Sequence, residues 1–232
     1  MPDSHFEEVR SLHLFAGMSD DSYARLMRAA YVQSFPPEVE LIAEGESADF
    51  LHILVSGAVD LYAEWNGRRT SMATVRPVST FILAATIRDA PYLMSAVTME
   101  KSRIVMIPSQ DVRQVFDEDG DFARAVVVEL ATCYRSVVKA QKNLKLRTAQ
   151  ERLANFLLRQ QQRAGGAAEF DLPFEKRRLA SLLGMTPENL SRTLRALQAY
   201  GVLVDGARVR IGDQQDLERF ARPSPLIDDP AS

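Results

Sequence analysis

Hydrophobic and polar positions change their period twice along the chain. Residues 19–30 place Ser19 as a cap, with Asp20 and Asp21 in the first turn, and predict a short helix. The period then shortens to that of strands. Apolar runs at 40–43, 50–55, 58–65, 69–75, 95–99 and 102–107 are separated by turn residues such as Glu44-Gly45-Glu46, Ser56-Gly57 and Asn66-Gly67. Asn-Gly is a strong two-residue hairpin signal because both residues tolerate positive φ. Short strands at this spacing predict an antiparallel barrel or sandwich.

From Pro108 the period returns to that of a helix. Residues 109–116 form a short one, and Asp121 is placed to cap a long one running to about 161 or 163. Phe122, Val126, Leu130, Cys133, Val137, Ala140 and Leu144 recur at intervals of three and four, close to a heptad seam. Some 40 helical residues span about 60 Å, more than a domain of this size buries. Even with a break near residue 148, the seam predicts an interface with a second copy. The alternative is one long helix packed on its own barrel.

Residues 164–168, Ala-Gly-Gly-Ala-Ala, read as a loop or hinge. A helix follows from about Phe174 to Leu183, then a tight turn at Gly184-Met185. Thr186 is a suitable N-cap and Pro187 suits the first helical position of the next helix, which Gly201 stops after Tyr200. Residues 202–204 and 208–211 form a small hairpin with Asp205-Gly206 at its tip. The tail, 223–232, is expected to fray.

Composition bounds the class. The 232 residues allow one large domain or two modest ones, and 46% hydrophobic with 25% charged residues excludes disorder for the bulk of the chain. No apolar run of about 18 residues predicts a membrane span. The N-terminus lacks the basic and apolar regions of a signal peptide, so a cytoplasmic location is expected. Cys133 is the single cysteine and cannot by itself build a disulfide, a Cys-rich zinc site or an iron–sulfur site.

The net charge of -3 hides a division. Residues 1–138 hold 12 Lys+Arg against 20 Asp+Glu, 139–212 hold 14 against 6, and 213–232 hold 2 against 5. The basic segment contains the helix–turn–helix–hairpin arrangement, a winged helix-turn-helix. The second helix of such a unit enters the major groove with its N-terminal residues at base edges. Glu188 and Arg192, four apart, project from one face with Ser191 between them. Arg pairs bidentately with guanine, and a carboxylate accepts from cytosine N4. The competing reading is a surface ion pair. Lys176, Arg177, Arg178, Arg195, Arg208 and Arg210 are candidates for the DNA backbone, or ordinary surface charges.

With those residues in place, the chain resembles the CRP/FNR family of bacterial transcription regulators over about residues 10–220. The resemblance implies an α+β fold: an N-terminal antiparallel β-roll of the cyclic-nucleotide-binding kind, a long dimerisation helix and a C-terminal winged helix-turn-helix. The implied divisions are 1–120 for the sensory β-roll with flanking helices, 121–163 for the dimerisation helix and hinge, 164–222 for the DNA-binding domain and 223–232 for the tail. The segment from Pro187 to Arg192 matches the Glu-x-x-Ser-Arg pattern of the FNR branch. By resemblance, Glu188, Ser191 and Arg192 read a TTGAT half-site in the palindrome TTGAT–four bases–ATCAA. A homodimer on palindromic DNA and no membrane partner are implied, with contact to RNA polymerase for an activator; activation and repression both stay open.

The effector-pocket positions depart from the nucleotide-binding members. Phe81-Ile82 leads into Leu83-Ala84-Ala85 where those members carry Gly-Glu-Leu, and Met94 replaces the phosphate-pairing Arg ahead of Ser95. Burying an unpaired anion costs several kcal/mol, so cyclic AMP is disfavoured. The lone Cys133 argues against an iron–sulfur cluster. Residues 80–96 are most similar to the nitric-oxide-responsive nitrogen-oxide-reductase regulators, for which haem is the suggested cofactor. His13, His52 and an N-terminal Pro2 are the ligand candidates. A protein partner, another small molecule or no effector on the same scaffold remains open. An enzyme on the β-roll is the remote alternative, since no nucleophile–base or paired-carboxylate motif is present.

Overall fold

The computed structural model describes residues 4–172 and 175–229. Pro2, Phe174 and the last three tail residues lie outside them, as does the side chain of His5. The chain divides into two units, Met1–Cys133 and Tyr134–Ser232.

The first unit opens with α1 (Ser4–Arg10), α2 (His13–Ala16) and α3 (Asp20–Ala29). The Ser19 hydroxyl accepts from the Ser22 N–H and caps α3, as its sequence indicates. Eight strands follow: β1 (Tyr31–Phe35), β2 (Glu40–Ile42), β3 (Phe50–Ser56), β4 (Val59–Trp65), β5 (Arg68–Val75), β6 (Ser79–Phe81), then β7 (Ser95–Thr98) and β8 (Ser102–Pro108). Between β6 and β7 lies α4 (Leu83–Arg88), which the sequence reading had not assigned to a helix. α5 (Ser109–Glu118) and α6 (Gly120–Leu146) close the series, and α6 crosses the boundary between the units.

The strands form two four-stranded antiparallel sheets, β1-β8-β3-β6 and β2-β7-β4-β5. Trp65 pairs with Arg68, so Asn66 and Gly67 are the two loop residues, both at positive φ. Alternation along β3 sends its side chains to two cores. Leu51 and Ile53 pack with Leu14, Phe15, Val112 and Phe122 from the helices. Leu54 packs with Ile42, Val59, Phe81 and Ala96 in the apolar layer between the sheets. This is the interior of the antiparallel β-roll.

The long helix does break at the position its sequence allows. α7 (Ala149–Arg163) starts anew after Thr148, whose hydroxyl accepts from the Glu151 N–H while the Glu151 carboxylate accepts from the Thr148 N–H. This reciprocal capping box stabilises a new helix start over continuation of α6. The cap of α6 is a correction. Asp119, not Asp121, accepts from the N–H groups of Asp121 and Phe122. A second correction concerns the seam. Phe122 and Val126 are 0% exposed inside the first unit's own core, and Leu130 packs partly against it, so Phe122 and Val126 cannot touch another chain. Cys133, Val137, Ala140 and Leu144 are exposed.

In the second unit, α7 is followed by β9 (Glu169–Asp171), α8 (Lys176–Leu182) and α9 (Pro187–Ala196). A 3-10 turn, Leu197–Tyr200, ends at Gly201 in the left-handed conformation. β10 (Val202–Asp205) and β11 (Arg208–Ile211) form the hairpin, with Asp205 paired to Arg208 and Gly206-Ala207 as its loop. α10 (Gln214–Ala221) and α11 (Pro225–Asp228) complete the unit. Leu153, Leu157, Leu179, Leu190, Leu197, Val209 and Leu217 form its core. Three elements here are additions to the sequence reading: β9, which makes the wing a three-stranded sheet of order β10-β11-β9, then α10, then α11. The tail expectation is corrected for 223–229, because Asp228 is tied by both Arg147 and Arg159.

Candidate nucleic-acid interface

The α9 helix owes its start to Thr186, whose hydroxyl accepts from the Asn189 N–H at 3.2 Å, with Pro187 at the first helical position. Leu190 and Leu194 are buried and fix the rotation of the helix on the domain. Glu188, Ser191 and Arg192 therefore share the solvent side, and all three are exposed. The sequence-predicted base-reading set is brought together on one face.

The details refine their chemistry. The Glu188 carboxyl is held below its ordinary range, first by its own backbone N–H, then by the Thr186 hydroxyl, with Arg192 a lesser influence. Glu188 is thus anchored to the helix start and is an ionised acceptor. The Ser191 hydroxyl donates to the Pro187 carbonyl at 3.0 Å, which leaves its lone pairs facing outward as acceptors.

The surrounding cations sort into two groups. Lys176, Arg177 and Arg195 are exposed, and Arg178 is half-buried. On the wing, Arg208 faces Asp171 at 3.4 Å and Arg210 faces Glu169 at 3.8 Å, both across the β11–β9 pair. Those acids belong to the strand absent from the sequence reading, and they offset two of the charges assigned to phosphate.

The turn before α9 depends on Gly184, which the sequence marks as a tight turn, and on Arg152, which sequence reasoning did not single out. Gly184 has φ +61°, a conformation that favours glycine, and a Cβ there would stand 2.7 Å from the Leu144 side chain. Arg152 is buried on α7. Its guanidinium donates to the carbonyls of Leu183 at 2.8 Å, Gly184 at 3.4 Å and Arg147 at 2.7 Å. A cation across the carbonyl ends of two helices complements their dipoles. The signal available in the sequence was an arginine inside the apolar stretch of α7.

The sensory pocket candidates lie elsewhere, in the first unit. Phe81 and Leu83 are buried, Met94 is half-buried against the layer between the sheets, and Ala84 is exposed. Ile82, a β-branched residue, turns the corner from β6 into α4 at φ 60°, a strained position for its type. Ser95 is already engaged: its hydroxyl accepts from the Glu44 N–H at 2.9 Å and bonds Tyr62, whose own hydroxyl donates to the Glu40 carboxylate. The Arg69 guanidinium lies 3.5 Å from the centre of the Tyr62 ring and near Asp60. The expected effector positions Leu83, Ala84 and Met94 thus carry apolar side chains, and an acid stands next to Ser95's partner.

The two described histidines do not combine into a haem site. His13 is exposed on α2, whose Leu14 and Phe15 pack on the helical side of β3. His52 is 4% exposed and points to the other face of the same sheet, its ring stacked on Phe81 at 5.2 Å. Opposite faces cannot supply two ligands to one iron, and the His52 ring is closed in by aromatic packing. Among the described residues, no group of three or more His, Cys, Asp and Glu side chains could hold a metal ion. No helix among them is long and apolar enough to cross a membrane. A cavity of about 590 Å³ lies away from all these candidates, between α7, α10 and residues 223–229.

Two family models match the chain in separate stretches. Residues 151–220 match the family model of the Crp-like helix-turn-helix domain, and residues 32–119 match that of the cyclic nucleotide-binding domain. The chain is similar to a CRP-like cAMP-activated global transcriptional regulator of Mycobacterium tuberculosis, 26% identical over 90% of this chain and 96% of the relative. It is also similar to the nitrogen fixation regulation protein FixK of Azorhizobium caulinodans, 27% identical over 95% of this chain and 90% of that one. The solved structure of FixK2 from Bradyrhizobium japonicum aligns with a TM-score of 0.69 at 25% identity, over 84% of this chain and 98% of that one.

Proposed function

We infer that this chain is a DNA-binding transcription regulator of the CRP/FNR type, built from a sensory β-roll and a winged helix-turn-helix, and not an enzyme. The observation that carries the reading is the exposed triplet Glu188, Ser191 and Arg192 on a helix rotationally fixed by Leu190 and Leu194. Two carboxylate or hydroxyl acceptors beside one guanidinium suit the mixed donor and acceptor edges of the major groove. The target is a TTGAT–four bases–ATCAA palindrome, bound by a homodimer whose two-fold axis matches that of the DNA. The proposed divisions are 1–120 for the β-roll with flanking helices, 121–163 for the dimerisation helix and hinge, and 164–222 for the DNA-binding domain.

The signal proposed for the β-roll is a nitrogen oxide and not a cyclic nucleotide, in a denitrification or nitrogen-oxide response. Leu83, Ala84 and Met94 support the second half of that statement, since none offers a cyclic phosphate a charge partner. Of the described histidines only His13 is accessible to haem; a Soret band on haem addition that persists in His13→Ala removes it as the ligand. A protein partner or no effector is the second reading of the same scaffold, favoured by the filled apolar layer around Phe81.

The DNA reading is tested by titrating the purified protein into the palindrome and a scrambled duplex over a salt series. Arg192→Ala is expected to cost about 1–3 kcal/mol per site on the palindrome and little on the scrambled duplex. Equal losses on both would remove Arg192 as a base reader.

A further inference from the structure

The α6–α7 break is a natural hinge. Arg147 and Thr148 alone separate the two helices, and Thr148 has extended torsions, so a change in a few dihedrals redirects one helix relative to the other. The junction is tied to the turn before α9, because Arg152 donates to the Arg147 carbonyl and to the carbonyls of Leu183 and Gly184.

Residues 223–229 cross this hinge. The Asp228 carboxylate accepts from Arg147 Nη1 at 2.8 Å and Nη2 at 2.6 Å, a bidentate pair at the junction itself. It accepts from Arg159 Nη1 of α7 at 2.6 Å and from the Ser224 N–H at 2.8 Å. On the other side, Lys139 Nζ of α6 donates to the Asp229 carbonyl at 2.8 Å. The strap therefore holds α6, the junction and α7 together. Its central pair is sheltered, with side-chain exposures of 7% for Arg147 and 11% for Asp228. Burial alone pushes the Asp228 carboxyl up, but the bonds from Arg147 and Ser224 and the two guanidinium charges outweigh it and leave it below the usual range.

We propose that Asp228 is a positioning residue for DNA binding: through Arg147 and Arg159 it clasps the α6–α7 hinge and fixes the angle at which α9 is presented. A frayed tail would not place a saturated, sheltered carboxylate across the only non-helical step between α6 and α7. The DNA consequence rests on the transcription-regulator reading; the clasp itself does not.

The test is hydrogen exchange of the full-length protein without DNA, read residue by residue, beside binding to the palindrome. Asp228→Asn removes the charge and leaves the shape. A chain ending at Arg222 removes the whole strap and leaves Arg147 and Arg159 to water, so it reports on the clasp should the first variant fold poorly. Both are expected to speed exchange about tenfold or more at the Glu151 and Arg152 amides while α8 and α9 keep their protection. Palindrome affinity is expected to fall about tenfold, with scrambled-duplex binding unchanged. Asp228→Glu is expected to restore much of both effects. Unchanged exchange at the junction, or a uniform loss of protection across the whole second unit, overturns the clasp. Hinge exchange that speeds up in a protein with no preference for the palindrome would keep the clasp and remove the DNA reading instead.

Discussion

At the scale of a single residue, His52 shows how a candidate ligand becomes a pH-dependent core residue. Its ring stacks on Phe81, meets Phe50 edge to face, and leaves Nδ1 without a hydrogen-bond partner. Burial drives its pKa from 6.5 down to about 4, partly opposed by the Phe50 backbone. The folded state therefore keeps His52 neutral, while the unfolded chain protonates it near 6.5. Stability linked to this group is fully present above 6.5 and is lost as the pH falls from there toward 4. The shift corresponds to about 3 kcal/mol in full, of which about 2 kcal/mol is gone at pH 5. Urea unfolding of the β-roll at pH 8 and pH 5 measures it. His52→Phe is expected to flatten this part of the profile, and a variant with the wild-type pH slope would show that His52 titrates normally.

At the scale of the element, the caps decide where helices start, and here sequence and structure part in an instructive way. Asp119 and Asp121 both precede an apolar helical run, and either could cap it by type. Asp119 wins because its carboxylate serves two helices at once, accepting from Asp121 and Phe122 on α6 and from the Ser19 N–H ahead of α3. Burial raises its carboxyl, yet those bonds bring it down to about 2. Asp119→Ala is expected to cost about 1–2 kcal/mol, and Asp121→Ala a few tenths at most, by thermal or urea unfolding. Equal costs would return the cap to Asp121. Local signals of this sort made most elements legible: Ser19, Asn66-Gly67, Thr186-Pro187 and Gly201 each mark a boundary through their own chemistry. β9 was not legible, because three residues, Glu169-Phe170-Asp171, become a strand only by pairing with β11 forty residues later. The pairing of the wing cations Arg208 and Arg210 with Asp171 and Glu169 was invisible for the same reason. The exposed face shared by Glu188 and Arg192 on α9 was legible because helical spacing alone puts the two together. The clasp at Asp228 was not, since its partners lie about 70 and 80 residues away.

At the scale of the whole molecule, the proposed homodimer raises the question of which stripe of α6 would meet a second copy. The predicted seam began at Phe122 and Val126, and both are consumed by the first unit's own core. A seam displaced by one position remains on the surface: Val127, Leu130, Tyr134, Val137, Gln141 and Leu144 recur at three and four, and all but Leu130 are exposed. Val137 is 65% exposed, an unusual setting for a β-branched residue in a helix with no other use for it. A helix of 27 residues runs about 40 Å, long enough for several layers of knobs-into-holes packing. The buried start of the predicted seam, Phe122, and its exposed middle, Val137, give opposite outcomes on substitution. Val137→Asp places a charge in the proposed seam and is expected to give a folded monomer with a near wild-type melting temperature and weak binding to the palindrome. Phe122→Ala is expected to leave the dimer seam intact and lower the stability of the β-roll by about 3–5 kcal/mol. Sedimentation equilibrium beside thermal melts separates them. A Val137→Asp protein that still sediments as a dimer would move the interface off this stripe, because an aspartate at the centre of a heptad seam cannot be desolvated without losing the pairing that surrounds it.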